Sequence, residues 1–295
     1  MSSPNPASSD SAGPRALVAS DGQRLAYTYR GTGPRLICLP GGPGRAAAYL
    51  EDLGGLDGTY ELVLADPRGS GGSRPAEPDS LNLDRLAQDV EELRLELDEK
   101  RPVLVGHSFG CRVASAHSER FPGVARALVL LTPPPFGESA LVADGRELIL
   151  DHRQNDPLFV EAVEAARALP DARPRDRSML EAMSMPLWYG RWDGTAREHA
   201  ARAADETPAR TALTLRNAAL SSPPVDLAAL DLPVLVVAGE LDYASPPGAL
   251  RAVHERLPHS SYVELAGAGH YPWLDDPAAL RDAVAGFLDA LGDQG

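Results

Sequence analysis

The sequence predicts an α/β fold in which a mostly parallel sheet is flanked by helices and a helical segment is inserted into the chain. Three observations lead to this expectation. Short apolar runs bounded by turn residues recur in the first half of the chain, and a helical pattern separates two of them. The same alternation returns after residue 232, whereas strand patterns are absent from about residue 133 to residue 224. Alternation of strands and helices is typical of parallel sheets.

The first half contains five apolar runs that we predict to be strands, at residues 24–29, 35–39, 60–65, 102–106 and 127–131. Between the third and fourth runs, apolar residues recur at helical spacing after Asn82, a residue type that caps helix N-termini. These apolar positions are Leu83, Leu86, Val90, Leu93 and Leu97. The order strand, helix, strand predicts a parallel βαβ unit.

The second half resumes with a predicted strand at residues 233–239, a helix from about residue 247 and a strand at residues 261–265. A final helix begins at Pro277 with Asp276 as its cap, and Gly292 follows its end. We therefore divide the chain into a flexible leader, a core in two parts and a helical cap. The leader is residues 1–14, the core is residues 15–132 and 225–295, and the cap is residues 133–224.

Charge and composition limit the possible partners. The chain has 28 basic and 42 acidic residues, and its net charge of -14 repels phosphate backbones and anionic lipid headgroups. We expect neither nucleic acid nor a membrane as partner. A leader without an apolar run and the absence of any stretch of ~20 apolar residues favour a cytoplasmic protein. Cys38 and Cys111 fit neither a disulfide framework nor a zinc site, and we predict that both are buried apolar side chains.

A Gly-x-Ser-x-Gly motif lies between a predicted strand and a stretch compatible with a helix. It consists of Gly106, His107, Ser108, Phe109 and Gly110. In this context the motif indicates a tight turn, because the turn has room only for glycine on either side of the serine. Such a turn exposes the serine hydroxyl above a helix N-terminus. A serine that merely caps a helix is the alternative. We predict that Ser108 is a nucleophile.

A serine nucleophile needs a base, and the base needs a partner that fixes its tautomer. His270 lies in a glycine-rich loop between a predicted strand and the final helix, where open α/β sheets assemble their sites. Asp242 follows the strand at residues 233–239, and Glu240 is a nearby competitor. The chain order Ser108, Asp242, His270 predicts a catalytic triad of nucleophile, orienting acid and base.

A Gly/Pro turn at residues 40–44 follows the predicted strand that ends at Leu39. Its glycines allow main-chain N–H groups to approach a substrate oxygen, although a plain turn is the alternative. We predict that the N–H groups of Gly42 and Phe109 form an oxyanion hole. This chemistry is hydrolysis of an ester or amide through an acyl-serine, and it requires neither a metal nor an organic cofactor.

With these motifs the chain resembles the α/β-hydrolase superfamily over almost its whole length, and within it the proline iminopeptidase group. Residues 41–44 are similar to the end of that group's His-Gly-Gly-Pro-Gly segment, and residues 66–73 resemble its Asp-x-Arg-Gly-x-Gly-x-Ser loop. Residues 191–195 resemble its Trp-Glu segment. The chain departs from the group at Pro40 in place of histidine, at Phe109 in place of tryptophan and at Asp193 in place of glutamate.

The resemblance implies a short peptide or small molecule as substrate, with Asp193 beside its free amine. Trp188 and Trp192, with the neighbouring Tyr189, are expected to line an apolar pocket or to pack the cap on the core. Three alternatives stay open because the fold and triad serve many reactions. They are an esterase or lactonase, a C–C bond hydrolase, and a hydrolase-like protein that binds a ligand.

Overall fold

The structure is a computed structural model that describes residues 13–292. Within this range eight strands form one sheet in the order β1-β2-β4-β3-β5-β6-β7-β8. Strands β1 and β2 are antiparallel to their neighbours, and the remaining pairs are parallel. The strands are β1 (Arg15–Val18), β2 (Arg24–Arg30), β3 (Arg35–Leu39), β4 (Glu61–Ala65), β5 (Val103–His107), β6 (Ala127–Leu131), β7 (Val234–Gly239) and β8 (Ser260–Leu265).

Ten α-helices accompany the strands within the described residues. They are α1 (Leu83–Glu96), α2 (Phe109–Arg120), α3 (Ser139–Arg153), α4 (Val160–Ala168), α5 (Pro174–Ser184), α6 (Gly194–Glu206), α7 (Ala209–Ser221), α8 (Pro247–Glu255), α9 (Pro272–Asp275) and α10 (Pro277–Ala290). The predicted fold class, a mostly parallel sheet flanked by helices, is confirmed. Every strand predicted from an apolar run is present, with bounds that differ by one residue at most.

Both faces of the central sheet are buried, as a doubly covered parallel sheet requires. Strand β6 illustrates this because all five of its residues are inaccessible to solvent. Leu128 and Leu130 pack into the apolar cluster on one face, while Val129 and Leu131 pack into the cluster on the other face. Cys38 and Cys111 are buried free thiols, as predicted, and burial raises the pKa of each.

Five helices, α3 to α7, lie between β6 and β7, and no strand occurs there within the described residues. We call residues 133–224 the helical insertion. It follows the sixth strand, and its segments contact the loops after β3, β7 and β8. No helix in residues 13–292 is long and apolar enough to cross a membrane.

The N-terminal region contains one element that the sequence patterns do not predict. Strand β1 has four residues with only Leu17 buried, and Val18 is 74% exposed. A short edge strand of this kind has no regular alternation of apolar and polar residues, so pattern analysis overlooks it. The predicted flexible leader falls almost entirely on residues 1–12, which lie outside the described residues.

Candidate active site

Ser108 occupies the turn between β5 and α2. Its φ of 50° and ψ of -119° lie outside the regions that non-glycine residues commonly adopt, and the turn therefore stores backbone strain. A Cβ added at Gly106 would lie 2.7 Å from the Cα of Cys111, and a Cβ at Gly110 would overlap the carbonyl oxygen of Leu39. Both glycines of the motif are therefore needed for the close packing of this turn.

The surroundings of Ser108 leave its hydroxyl available. The residue is half-buried, its N–H donates to the carbonyl of Leu131 at 2.9 Å, and its hydroxyl forms no hydrogen bond within residues 13–292. Ser108 also stands at the N-terminus of α2, where the partial positive charge of the helix favours a developing negative charge. A reactive hydroxyl needs this combination of access and positive potential.

His270 and Asp242 form a buried pair on the loops after β8 and β7. The Nδ1–H of His270 donates to Oδ2 of Asp242 at 2.8 Å, and the side chains are 2% and 0% exposed. The other oxygen of Asp242 accepts the N–H groups of Ala244 at 2.8 Å and Ser245 at 2.9 Å. With the proton held on Nδ1, the Nε2 atom of His270 is left as the proton acceptor.

Glu240, the competing carboxylate, does not contact the histidine. It is exposed at the end of β7, and its Oε2 accepts the N–H of Gly267 at 2.7 Å. The structure therefore brings Asp242 rather than Glu240 to His270, and it gives Glu240 a role in bracing the loop that leads to the histidine.

His107 connects the turn at residues 106–110, which we call the elbow, to His270 and to the glycine turn at residues 40–44. Its Nε2–H donates to the carbonyl of His270 at 2.9 Å, so its Nδ1 must accept the hydroxyl proton of Tyr49 at 2.6 Å. The Tyr49 oxygen in turn accepts the N–H of Gly41 at 2.6 Å. Burial lowers the pKa of His107 well below its ordinary value, with His270 contributing further, which keeps the ring neutral in this chain of hydrogen bonds.

The glycine turn lies against the elbow. A Cβ added at Gly41 would lie 2.8 Å from the Cβ of Ser108. The N–H groups of Gly42 and Phe109 have no acceptor within the described residues. Ser70 supports this turn, because its hydroxyl donates to the carbonyl of Gly44 at 2.6 Å. Both predicted donors are therefore unengaged within the described residues.

The loop at residues 66–73 is a structural brace. Arg68 is inaccessible to solvent and forms a bidentate ion pair with Asp89 of α1, with both N···O distances at 2.6 Å. Asp66 accepts the N–H groups of Ala47 and Gly72, each at 2.8 Å. The loop that carries Ser70 is therefore fixed from both sides, and with it the glycine turn.

The predicted residues of the helical insertion take three different places. Trp188 packs its indole on the imidazole of His270, with ring centroids 5.1 Å apart, and its carbonyl accepts the His270 N–H at 2.6 Å. Trp192 instead packs on Tyr189, with ring centroids 5.2 Å apart. Asp193 is exposed and caps α6 by accepting the N–H of Ala196 at 3.0 Å. Of these three residues, Trp188 is the one that contacts His270 within the described residues.

Sequence analysis missed the residue that joins the insertion to the histidine loop. The Asp275 carboxylate accepts the N–H groups of Gly190 at 2.9 Å, Arg191 at 3.1 Å and Gly269 at 2.8 Å. Burial raises the pKa of Asp275, and these N–H donors oppose the rise. A Cβ at Gly269 would lie 2.6 Å from the carbonyl of Trp188. Main-chain packing of this kind has no signature in the sequence beyond the glycines themselves.

A search of residues 13–292 finds no group of three or more His, Cys, Asp or Glu side chains placed to hold a metal ion. The histidines that the site brings together have other partners. His107 and His270 are engaged as described, and His199 bonds to the Tyr189 hydroxyl at 2.9 Å. Burial, together with the charge of Arg45, lowers the pKa of His199 to about 3.

Comparison with known proteins places this geometry in a family. The chain is 27% identical over 270 residues to a 2-(acetamidomethylene)succinate hydrolase of Mesorhizobium japonicum, covering 88% of this chain and 90% of that one. It is 23% identical over 274 residues to a proline iminopeptidase of Heyndrickxia coagulans, covering 90% and 94%.

A solved structure shows the same relation. The proline iminopeptidase-related protein of Thermus thermophilus superposes with a TM-score of 0.71 at 28% identity, covering 95% of this chain and 98% of that one. The predicted likeness to the proline iminopeptidase group is therefore confirmed as a relation. Residues 34–277 match the family described as the alpha/beta hydrolase fold, so the chain belongs to the α/β-hydrolase family.

Proposed function

We propose that the protein is a serine hydrolase that cleaves an ester or amide bond through an acyl-enzyme on Ser108. The observation that carries the proposal is the buried hydrogen bond between His270 and Asp242, on loops that meet beside the elbow. The link from His107 to the carbonyl of His270 supports this arrangement, because His107 immediately precedes Ser108. The strained turn at Ser108 and the unengaged N–H groups beside it fit the same chemistry.

In this mechanism Nε2 of His270 takes the hydroxyl proton as Oγ of Ser108 attacks the carbonyl carbon. Asp242 stabilises the imidazolium that forms. The N–H groups of Gly42 and Phe109 hold the oxyanion, and removal of one such donor costs roughly 10²–10³ in kcat. Collapse of the intermediate expels an alcohol or amine, which takes the proton from His270. A water molecule then hydrolyses the acyl-serine with His270 again as base.

A proline iminopeptidase-like activity is the most specific form of this proposal, and the relatives support it. Recognition of a free amine requires a carboxylate near the reacting carbonyl. Asp193 is exposed and serves as a helix cap, and Glu206 is paired with Arg45 at 2.7 Å. These two placements favour a second candidate, hydrolysis of an ester or amide in a small metabolite without a free amine. Lactonase, C–C hydrolase and ligand-binding activities remain further alternatives.

A fluorophosphonate probe tests the proposal, because it labels activated serines covalently. We expect labelling of Ser108, located by peptide mass spectrometry, and loss of labelling in Ser108→Ala. Turnover on a panel of nitrophenyl esters and aminoacyl arylamides should fall by about 10⁶-fold in the same variant, since a triad acts as a unit. Ser221→Ala, at an exposed serine of α7, is the matched control and should keep both. Turnover within tenfold of wild type in Ser108→Ala would refute the nucleophile.

A further inference from the structure

A cavity of about 650 Å³ lies in the helical insertion, next to the proposed catalytic residues. Helices α3, α4, α5 and α7 contribute to its wall, together with the loop after β7. Two aromatic residues of the wall link it to the triad. Trp188 packs on the imidazole of His270, and Tyr243 follows Asp242 in the chain. Trp188 is therefore both part of the cavity wall and a neighbour of His270.

The charge of the lining is unbalanced. Three arginines, Arg146, Arg177 and Arg216, line the cavity, whereas its only lining carboxylate within the described residues is Glu181. Arg146 donates to the carbonyl of Tyr243 at 2.9 Å, and its guanidinium lies 5.0 Å from the centroid of the Tyr243 ring. Arg177 and Arg216 are exposed, and neither side chain has an ion pair or hydrogen bond within residues 13–292.

Arginines outside the cavity show that acidic partners are available in this chain. Arg167, also in the helical insertion, pairs with Glu147 at 3.2 Å and Asp151 at 2.8 Å. Arg45 pairs with Glu206 at 2.7 Å. In a protein of net charge -14, three lining guanidinium groups without a carboxylate partner form a local positive field against the mean charge.

We infer that this cavity binds an anionic group of the substrate, of the carboxylate class, so that the enzyme prefers esters or amides that carry an acid function. The inference rests on the proposed function, which defines the bond that is cleaved. Guanidinium groups match carboxylates with paired N–H donors. A substrate ammonium group would instead meet three like charges. The same lining thus selects for acids and against free amines.

Two nitrophenyl esters of equal length test the preference. The mono-4-nitrophenyl ester of adipic acid carries a terminal carboxylate that 4-nitrophenyl hexanoate lacks. We expect wild-type kcat/KM to be at least tenfold higher for the adipate ester. The double variant Arg177→Gln/Arg216→Gln should lower the ratio of the two kcat/KM values by about tenfold. Equal kcat/KM values in the wild type, or a ratio unchanged in the double variant, would overturn the inference.

Arg197→Gln is the matched control, because Arg197 is an exposed arginine of α6 that does not line the cavity. It removes one positive charge from the same insertion, where the double variant removes two, and it should leave the ratio unchanged. Circular dichroism and thermal unfolding establish that the double variant is folded. If it is not, sodium chloride titration of the wild type supplies the answer: kcat/KM should fall with salt for the adipate ester alone, and parallel curves would contradict the inference.

Calorimetric titration of the wild type with adipate separates this inference from the proposed function. Adipate binding that weakens about tenfold in the double variant supports the anion site even if no ester is hydrolysed, in which case only the proposed function fails. The enzyme could instead hydrolyse esters through Ser108 but show no preference for the adipate ester and no binding of adipate. The proposed function then stands, and the cavity is not an anion site.

Discussion

The two sides of the candidate site are built differently. On the core side, Ser108, Asp242 and His270 follow the ends of β5, β7 and β8, three strands of one parallel sheet. Their placement follows from the rule that loops at the carboxyl ends of such strands meet at one edge. On the insertion side, Trp188 reaches His270 from a short segment between α5 and α6. That segment is held by main-chain packing and by one half-buried carboxylate, Asp275.

The two sides are therefore specified by different features of the sequence. Chemistry at the sheet edge depends on the type of residue and on its place in a strand–loop–helix unit. The residue type and its place are both local properties of the sequence. The position of the insertion depends on contacts between residues far apart in the chain, such as Gly190 with Asp275. Three aspartates represent the core, the insertion and the junction between them: Asp242, Asp193 and Asp275. Substitution of each one measures how strongly its region affects activity and stability.

Asp242→Asn tests the core side and should have the largest effect. The asparagine keeps the size of the side chain but removes the acceptor that holds the His270 proton on Nδ1, so the imidazole adopts the wrong tautomer. We expect kcat on an activated ester to fall roughly 10⁴-fold, with the free energy of unfolding changed by less than about 2 kcal/mol. Steady-state kinetics and urea unfolding measure the two quantities.

Glu240→Gln is the matched control, because it makes the same change two residues earlier on an exposed side chain that does not touch the histidine. Its kcat should stay within about twofold of wild type. If the two variants lost activity equally, or Glu240→Gln lost more, Asp242 would not be the orienting acid.

Most features of the core side could be predicted from the sequence. Strands β3, β5, β6 and β7 are continuous apolar runs because both faces of the sheet are covered, and such runs stand out in a sequence. The elbow is recognisable because two close backbone approaches demand Gly106 and Gly110. The preference for Asp242 over Glu240 followed from position alone, and the structure places Asp242 on the imidazole.

The packing of the insertion could not be predicted from the sequence. Helical patterns rich in Ala, Arg and Glu predict that residues 133–224 are helical, but helices of this kind can pack in many mutual arrangements that bury the same apolar faces. Trp188 and Trp192 are four residues apart and of the same type, yet one packs on His270 and the other on Tyr189. Tyr49 and Asp275 were missed for a related reason. Their importance lies in partners such as Gly41 and Gly190, which no local pattern associates with them.

Asp275→Ala tests the junction and should have an intermediate effect. It leaves three N–H groups without their charged acceptor, and hydrogen bonds to charged groups contribute about 1.5–3 kcal/mol each before relaxation and entry of water. We expect the free energy of unfolding to fall by about 3 kcal/mol and kcat/KM by about tenfold, because the loop of His270 loses its support. Hydrogen exchange should accelerate at the amides of Gly190 and Gly269.

Asp276→Ala is the neighbouring control for the junction. Asp276 caps α10 through the N–H of Ala279 and forms no hydrogen bond or ion pair with the insertion within residues 13–292. It should lose about 1 kcal/mol of stability, the usual value of a helix cap, with normal kcat/KM. If Asp275→Ala and Asp276→Ala had similar kcat/KM values and similar amide exchange rates, the proposed junction role of Asp275 would be wrong.

Asp193 tests the insertion side and should have the smallest effect. Asp193→Ala removes the cap of α6 and should lower the free energy of unfolding by about 1 kcal/mol, whereas Asp193→Ser keeps a capping oxygen and should restore most of it. Because the carboxylate is exposed, neither variant should change kcat/KM on a proline arylamide or on its N-acetylated analogue by more than about twofold. The serine variant separates the two roles of the residue, since it retains the cap but not the charge. Strong cleavage of the free-amine arylamide by wild type, with a large loss in both variants, would instead show that Asp193 binds the substrate amine and that the iminopeptidase activity is real.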